Sequence, residues 1–545
     1  SLSNVARLCY KYIRTIWMEK VPMKSFRTTH GAACCVLLVL ALLFPLCATA
    51  QAPSAQAAET IIAAQQNTSA TVKLPAYYSN GMVFQRNKPI DITGELRNIA
   101  YSNIDWSKLN ATLSMDDKQH TGSVASSHEA KFTIRIPKVP ANQHPYKLTL
   151  QYQGKLLKTL TRVYVGDVFV AAGQSNMEVN YRQYYNAKNA KVDPNASPQG
   201  VFKYKDLPET IDDPNVHFVV AKQDAQSSQF PVADENKSSW SEATKENSIR
   251  LSYLAQFFAR ELRTTSPNIP IGIIQTAWGG TAISRHVRGG DIYKNHIAPL
   301  QGYHIAGVLW YQGCNDAANN ATALAYESQF TALINQYRKA FDDASLPFLY
   351  VQLARWDDNQ YTQIVRQAQL SALDNPNLDT VKNVAMTVSI DTDKGTAKTI
   401  HPLGKEILAK RMADQWQAMR SKKAVPSSPI VTSADRDEKG NVTISFKNGT
   451  AQGLQAMKPD YSLKASASKV ASPTDDALDG FEVADSSGKF SQATARIQGN
   501  QVVVSSDDVD RITQVRYLWS GSPDCDSILY NKRQLPASPF IVAIP

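Results

Sequence analysis

The chain has 545 residues, enough for roughly two to four domains with large hydrophobic cores. Its apolar content of 43% and charged content of 19% are ordinary for a soluble globular protein. The formal net charge is +10, but residues 1–50 carry six basic residues and one acidic residue, so the remaining chain is near +5. Those remaining basic residues are scattered and form no stripe interleaved with aromatic residues, which argues against a nucleic-acid-binding protein.

The N-terminal region predicts a secretory signal peptide. Lys24 and Arg27 precede an apolar run at residues 32–46, and residues 48–50 form a small-x-small cleavage site. The run is shorter than the roughly twenty residues that a membrane-spanning helix needs, so we expect a cleaved signal and no stable membrane anchor. Residues 1–50 are therefore assigned to an upstream extension and the signal peptide, and a secreted or periplasmic protein is expected.

The next two segments differ in composition and in predicted secondary structure. Residues 51–72 are rich in Ala, Gln, Ser and Thr, a composition typical of a flexible linker. Residues 73–162 contain several short alternating strands separated by turn residues at regular spacing. This spacing predicts an N-terminal β-sandwich domain.

From residue 163 to residue 425 strands alternate with helices, which is typical of an α/β domain. Short apolar runs that predict buried strands begin at Val163, Ile271, Gly307, Phe348 and Val384. Polar or small residues follow each run. Parallel strands joined by helical crossovers bring such strand ends to one edge of the sheet. We therefore expect a site at this edge.

Residues 426–545 return to a β pattern and predict a C-terminal β domain. Outside the first 50 residues the only cysteines are Cys314 and Cys525. A secreted chain of this length with two cysteines does not depend on a disulfide framework. Whether these two cysteines pair is left open by the sequence.

The residue of greatest chemical interest is Ser175. The apolar run Val163 to Ala172 ends in Gly-Gln-Ser-Asn-Met, which places Ser175 at the C-terminal mouth of a buried strand. A serine in this position is often only a turn residue or a helix N-cap. The α/β-hydrolase elbow requires a glycine two residues after the serine, but Met177 occupies that position. A nucleophilic role for Ser175 therefore needs a different serine architecture.

Several blocks of the chain resemble the SGNH hydrolases, in particular the sialate O-acetylesterase family. They are GQSNM at 173–177, WGGT at 278–281, WYQG at 310–313, IHPLGKE at 400–406, and the terminal patterns at 78–86 and 529–540. The resemblance covers nearly all of residues 74–545. It implies a three-layer α/β/α domain with a parallel sheet, flanked by β-sandwich-like domains, and an esterase that removes O-acetyl groups from carbohydrates.

The resemblance also implies roles for individual residues. Ser175 would be the nucleophile and His401 the base that activates it. The oxyanion hole would consist of the backbone N–H groups of Ser175 and Gly280 and one side-chain amide. The family pattern W-Y-Q-G-E would make this amide Gln312, which we expect, whereas the broader pattern G-x-N-D would make it Asn315.

The acid that orients the base departs from the family pattern. An Asp two or three residues before the histidine is usual, but Thr399 and Lys398 occupy these positions. We expect Asp391 or Asp393 to reach His401 from the end of the preceding strand. Otherwise a backbone carbonyl orients the imidazole, and the pair is a Ser-His dyad.

The family glutamate after Q-G is replaced by Cys314. The sequence contains no metal-ligand spacing, phosphate-binding glycine loop or dinucleotide fingerprint, so no cofactor or metal is expected. The expected partner is an acetylated sugar or glycan, most like acetylated sialic acid. One alternative is an acetylesterase for xylan or another plant polysaccharide. Another, favoured by Cys314 and the displaced acid, is a degenerate member that binds acetylated glycans without cleaving them.

Overall fold

A computed structural model describes residues 70–183, 207–224, 240–356 and 359–545. These residues belong to one compact unit. The predicted signal peptide, and the predicted linker as far as residue 69, lie outside the described residues.

The N-terminal region forms an antiparallel sheet. Its strands are β1 (Thr71–Lys73), β2 (Val83–Gln85), β3 (Ile90–Arg97), β4 (Leu109–Met115), β5 (Lys118–His128), β6 (Lys131–Ile136), β7 (Asn142–Tyr152) and β8 (Lys155–Gly173). The strand order is β1-β3-β6-β5-β4-β7-β8, and β2 pairs in parallel with β8. Leu109, Ala111 and Leu113 of β4 are buried and alternate with more exposed residues, as expected for a strand with one face on a core.

The long strand β8 connects this region to the rest of the molecule. Its first part pairs antiparallel with β7, whereas its last residues pair in parallel with strands that come later in the chain. One 14-stranded sheet therefore runs through both regions. The boundary predicted between residues 162 and 163 falls inside β8, and the domain boundaries remain predictions.

The second half of this sheet is the central sheet of the molecule. Its further strands are β9 (Asp213–Val220), β10 (Trp240–Ala243), β11 (Ile271–Gln275), β12 (Gly307–Tyr311), β13 (Phe348–Val351) and β14 (Val384–Thr387). The order is β10-β9-β11-β8-β12-β13-β14, and every pair is parallel except β9 with β10. Both faces of β8 are buried from Val163 to Gly173, which explains its continuous apolar run.

Helices cover both faces of the central sheet. They are α1 (Ser175–Glu178), α2 (Tyr253–Thr265), α3 (Asn320–Ala340), α4 (Thr362–Ser371) and α5 (Lys405–Arg420). On one face Phe169 of β8 packs against Trp416 of α5. Trp310 of β12 pairs with Ala172, three residues after Phe169, so it points to the other face, where it stacks on Phe330 of α3. The predicted three-layer α/β/α arrangement is confirmed.

The C-terminal region consists of small antiparallel sheets. Its strands are β15 (Val431–Arg436), β16 (Val442–Phe446), β17 (Gln455–Pro459), β18 (Ala471–Pro473), β19 (Phe481–Ala484), β20 (Phe490–Gln492), β21 (Thr494–Gln498), β22 (Gln501–Ser505), β23 (Gln514–Tyr517), β24 (Ile528–Tyr530) and β25 (Phe540–Ala543). They form the sheets β15-β16-β22-β21, β18-β17-β24 and β20-β19-β23-β25. The buried guanidinium of Arg366 on α4 donates to Ser520 O at 2.6 Å and Gly521 O at 2.7 Å, which ties this region to the α/β core.

Among the described residues, no helix combines the length and the apolar character that crossing a membrane requires.

Candidate active site

The turn after β8 places Ser175 at the edge of the central sheet. Gly173 has φ +126°, and a Cβ added there would lie 2.2 Å from Tyr311 O, so only glycine fits between the ends of β8 and β12. Ser175 then begins the short helix α1 and is half-buried. This is the strand-mouth position that the sequence predicts for it.

Gln174 joins the ends of β8 and β12. Its backbone N–H donates to Tyr311 O at 3.0 Å, and its side-chain Oε1 accepts from the N–H of Gly313 at 3.0 Å and of Asn315 at 3.3 Å. The loop that follows β12 therefore wraps around the residue that precedes Ser175.

The loop after β11 lies on another side of Ser175. Trp278 N donates to Gly173 O at 2.9 Å, and Gly279 N donates to Glu178 Oε2 at 2.5 Å. A Cβ on Gly279 would stand 3.4 Å from Ser175 Cβ, so the two residues are in contact distance. Gly280, the next residue, has φ +70° and is exposed, and its N–H has no hydrogen-bond partner within the described parts of the chain.

Asn176 links the serine block to the histidine block. Its Nδ2 donates to Ile400 O at 2.8 Å, and its Oδ1 accepts from Lys405 Nζ at 2.7 Å. Asn176 follows Ser175 and Ile400 precedes His401. The structure therefore brings the neighbours of these two residues into direct contact across more than two hundred positions of sequence.

His401 lies at the start of the segment that leads into α5. Burial, and then the charge of Lys405, lower the pKa of His401 to about 4. An imidazole with this pKa is neutral at pH 7 and can accept a proton.

The two amides predicted for the oxyanion hole have different surroundings. Gln312 is fully buried, and its Nε2 donates to Thr281 O at 3.0 Å and to Asp316 Oδ2 at 2.5 Å, so both of its amide hydrogens are used. Asn315 is exposed, and its side-chain amide has no hydrogen-bond partner among the residues that the structure describes. The contacts favour Asn315 over Gln312 as a donor to a ligand.

Both predicted acids are held by arginines. Asp391 accepts from Arg411 at 2.8 and 2.7 Å and from Tyr530 Oη at 2.8 Å. Asp393 accepts from Arg355 at 2.8 and 3.1 Å. Every carboxylate oxygen of the pair is thus engaged by a guanidinium, which favours a structural role for both. Their role as the orienting acid stays a prediction.

Lys405 and Cys314 both contact Asn176, the residue that is bonded to the loop of His401. Burial lowers the pKa of Lys405 to about 7, and its Nζ lies 5.1 Å from the centre of the Tyr311 ring. Burial raises the pKa of the Cys314 thiol to about 11, so the thiol is protonated at neutral pH and is a poor nucleophile. Cys314 and Cys525 are both free thiols.

Four residues of the site received no role in the sequence analysis: Gln174, Asn176 and Lys405, which lie within the quoted motifs, and Glu178, which directly follows one. Their spacing carries the only available signal, since each lies within a few residues of Ser175 or His401. Within the described ranges, no cluster of His, Cys, Asp and Glu side chains has the composition of a metal site.

Comparison with known proteins shows similarity to carbohydrate esterases. Residues 165–415 match the model of the family described as "Carbohydrate esterase, sialic acid-specific acetylesterase". A sialate O-acetylesterase from Pongo abelii is 24% identical over 483 residues, covering 77% of this chain and 84% of the relative. One from Homo sapiens is 26% identical over 339 residues, covering 53% of this chain and 60% of the relative.

A solved structure extends the match to the flanking regions. The crystal structure of a carbohydrate acetylesterase from Xanthomonas citri has a TM-score of 0.67 and 27% identity, and it covers 87% of this chain and 99% of that chain. The chain is similar to a sialate O-acetylesterase over 77% of its length. It is a carboxylic ester hydrolase that removes O-acetyl groups from carbohydrates. The resemblance to the sialate O-acetylesterase family that the sequence predicts is confirmed.

Proposed function

We propose that Ser175 and His401 carry out ester hydrolysis through an acetyl-enzyme. The observation that carries this proposal is the link through Asn176, whose amide bonds Ile400 O at 2.8 Å and so holds the two blocks together. His401 Nε2 or Nδ1 takes the proton of Ser175 Oγ while the oxygen attacks the acetyl carbonyl. His401 then returns the proton to the departing sugar hydroxyl. Water attacks the acetyl-enzyme by the same route, and acetate leaves.

The negative charge of each tetrahedral intermediate needs donors that are not already used. In the described part of the chain, the backbone N–H groups of Ser175 and Gly280 have no intramolecular acceptor. The side-chain amide of Asn315 is in the same state and is exposed. We assign these three donors to the oxyanion hole. Donors that are fixed before the reaction begins stabilise the intermediate without reorganisation, which is often the largest catalytic contribution.

We propose an O-acetylated sialic acid as the substrate. Two observations support this choice: the matching family is described as sialic acid-specific, and the relatives from Pongo abelii and Homo sapiens are named sialate O-acetylesterases. The relative from Xanthomonas citri is named only for carbohydrate, so acetylated xylan is the competing substrate. We also propose that the chain is exported through the signal peptide predicted within residues 1–50. N-terminal sequencing of the protein from the periplasmic or extracellular fraction tests this proposal.

The deciding experiment measures acetate release from O-acetylated sialic acid and from acetylated xylan. Wild type is compared with Ser175→Ala and His401→Ala, and the exposed residues Ser328 and His144 provide the matched alanine controls. We expect release from acetylated sialic acid that both site variants abolish and both controls retain. Release from xylan alone would move the substrate to the plant polysaccharide. Undiminished release by Ser175→Ala would refute the mechanism.

A fluorophosphonate probe separates catalysis from binding alone. The probe labels only a serine that a nearby base activates. We expect labelling of wild type and none of Ser175→Ala. A folded wild-type protein that binds acetylated glycan but takes up no label would identify a non-catalytic glycan-binding member, the alternative that the arginine-bound Asp391 and Asp393 support.

A further inference from the structure

The two carbonyl groups that flank His401 are both hydrogen-bonded. Asn176 Nδ2 donates to Ile400 O, before the histidine, at 2.8 Å. Lys405 Nζ donates to Pro402 O, after the histidine, at 3.1 Å. The two donors are also bonded to each other, since Lys405 Nζ donates to Asn176 Oδ1 at 2.7 Å. A closed set of contacts therefore surrounds the backbone of His401.

We propose that Asn176 and Lys405 are positioning residues for the base, which hold the backbone of His401 in a fixed place relative to Ser175. This inference rests on the proposed roles of Ser175 and His401. Asn176 is the residue next to the nucleophile, so its contact with Ile400 sets the separation of the two reacting side chains. A displacement of about 1 Å at such a site lowers a rate about 100-fold.

The surrounding structure makes this arrangement rigid. Asn176 and Lys405 are both buried, with 1% and 3% of their surface exposed. Gly404 has φ +89°, and a Cβ there would lie only 1.8 Å from Thr392 O, so the turn before α5 is pressed against the backbone of its neighbour. This tight turn lets the side chain of Lys405 reach back to Pro402. The amide of Asn176 has one orientation in this setting, because its oxygen faces the ammonium and its NH₂ faces a carbonyl.

The charge of Lys405 affects the pKa of His401, which can be measured in a pH profile. Among the described residues no carboxylate forms an ion pair with Lys405, and the titratable groups near it are Cys314, Tyr311 and Glu406. The thiol and the phenol are neutral at pH 7, because burial raises the pKa of both. Glu406 pairs with a different lysine, since its Oε1 accepts from Lys394 Nζ at 2.7 Å. The ammonium of Lys405 therefore opposes protonation of His401.

The test measures kcat, KM and the pH profile of acetate release from p-nitrophenyl acetate. Lys405→Met removes the donor and the charge. Asn176→Asp keeps the size and the acceptor but removes the donor to Ile400. We expect each variant to lower kcat about 10- to 100-fold with little change in KM. Because an ammonium no longer opposes its protonation, His401 in Lys405→Met has a higher pKa, and the acidic limb of kcat/KM moves to higher pH.

Controls separate this role from a general effect on folding. Lys410→Met changes the same residue type on the same helix, at a side chain that pairs with Asp414, and should leave kcat and the acidic limb unchanged. Thermal unfolding confirms that each variant is folded. Lys405→Arg retains a cation and should keep the acidic limb close to that of wild type.

The outcomes also distinguish this inference from the proposed function. If Ser175→Ala abolishes turnover while folded Lys405→Met and Asn176→Asp match wild type in kcat and acidic limb, the positioning role is wrong and the proposed mechanism stands. If Ser175→Ala turns over like wild type, the mechanism itself is wrong, and the positioning role falls with it.

Discussion

Exchanging Asn315 and Gln312 for alanine, one at a time, separates the two amides predicted for the oxyanion hole. Asn315 is exposed and its side chain has no hydrogen-bond partner among the described residues, whereas Gln312 is buried and donates to Thr281 and Asp316. Asn315→Ala therefore removes a hydrogen-bond donor that is accessible to a ligand. Gln312→Ala changes what holds the loop after β12 together.

The expected magnitudes differ in kind. Loss of one oxyanion donor lowers kcat by about 10²- to 10³-fold, or about 3–4 kcal/mol in the activation free energy. Asn315→Ala should show this loss with an unchanged free energy of unfolding. Gln312→Ala leaves Thr281 O buried without a donor, which costs about 1–3 kcal/mol, and it removes a hydrogen bond to the Asp316 carboxylate, worth about 1.5–3 kcal/mol, while Ile283 N still donates to that carboxylate. We therefore expect Gln312→Ala to be about 2–5 kcal/mol less stable than wild type.

The assay pairs steady-state acetate release with urea unfolding for both variants. The decisive comparison uses kcat under conditions where both proteins are folded. The opposite result has two parts: Asn315→Ala keeps the kcat of wild type, and Gln312→Ala stays nearly as stable as wild type but loses kcat about 10²-fold or more. In that case the oxyanion donor is Gln312. This result would refute the inference that Gln312 cannot donate to a ligand because its amide hydrogens already donate to Thr281 and Asp316.

Three further predictions concern stability. Gly173→Ala should cost about 3 kcal/mol and abolish acetate release, because a Cβ would lie 2.2 Å from Tyr311 O beside a positive φ; urea unfolding and acetate release measure it. Burial lowers the pKa of His217 to about 4, so the folded state resists its protonation and stability falls as pH drops below the unfolded value of about 6.5. His401 and His286 act in the same direction, so in urea unfolding the loss between pH 7 and pH 5 should be smaller in His217→Gln than in wild type by about 2 kcal/mol. Arg366→Met should lower the unfolding free energy by about 3–5 kcal/mol in urea titration, because four carbonyl oxygens lose their donor.

Each of these predictions has an outcome that contradicts it. Full activity and an unchanged midpoint for Gly173→Ala would mean that β8 and β12 move apart at no cost. An equal loss on acidification in wild type and His217→Gln would show that other groups account for it. An unfolding free energy for Arg366→Met within about 0.5 kcal/mol of wild type would show that water replaces the guanidinium at those carbonyls.

The sequence predicts the central sheet well because its strands have a local signature. Buried parallel strands read as short apolar runs, and the runs beginning at Val163, Ile271, Gly307, Phe348 and Val384 all correspond to strands of the central sheet. The sequence analysis did not identify β9 and β10, because His217 interrupts the short apolar run of β9 and β10 carries no such run. Their positions depend on the pairing of β9 with β11 and of β10 with β9, which are contacts between segments that lie apart in the chain.

In the candidate site, too, some features follow from local sequence and others depend on contacts between distant segments. Ser175 is found from sequence because a strand, a glycine turn and a small polar residue are consecutive. The surroundings of Asp391 are not found, because its partners Arg411 and Tyr530 come from a helix and from a C-terminal strand. Likewise nothing near Gln312 in sequence reveals that its amide hydrogens are taken by Thr281 and Asp316.

The sequence by itself predicted the fold class and the resemblance to a carbohydrate esterase family, and it singled out Ser175 and His401 as candidates, because these inferences depend on local periodicity and on short motifs. The tertiary structure alone decided which donors are free, which carboxylates are occupied, and how the backbone of His401 is held by Asn176 and Lys405. The physical reason is that a hydrogen bond between distant segments depends on where the completed sheet brings their ends. Residue types and spacing along one segment do not specify that meeting point.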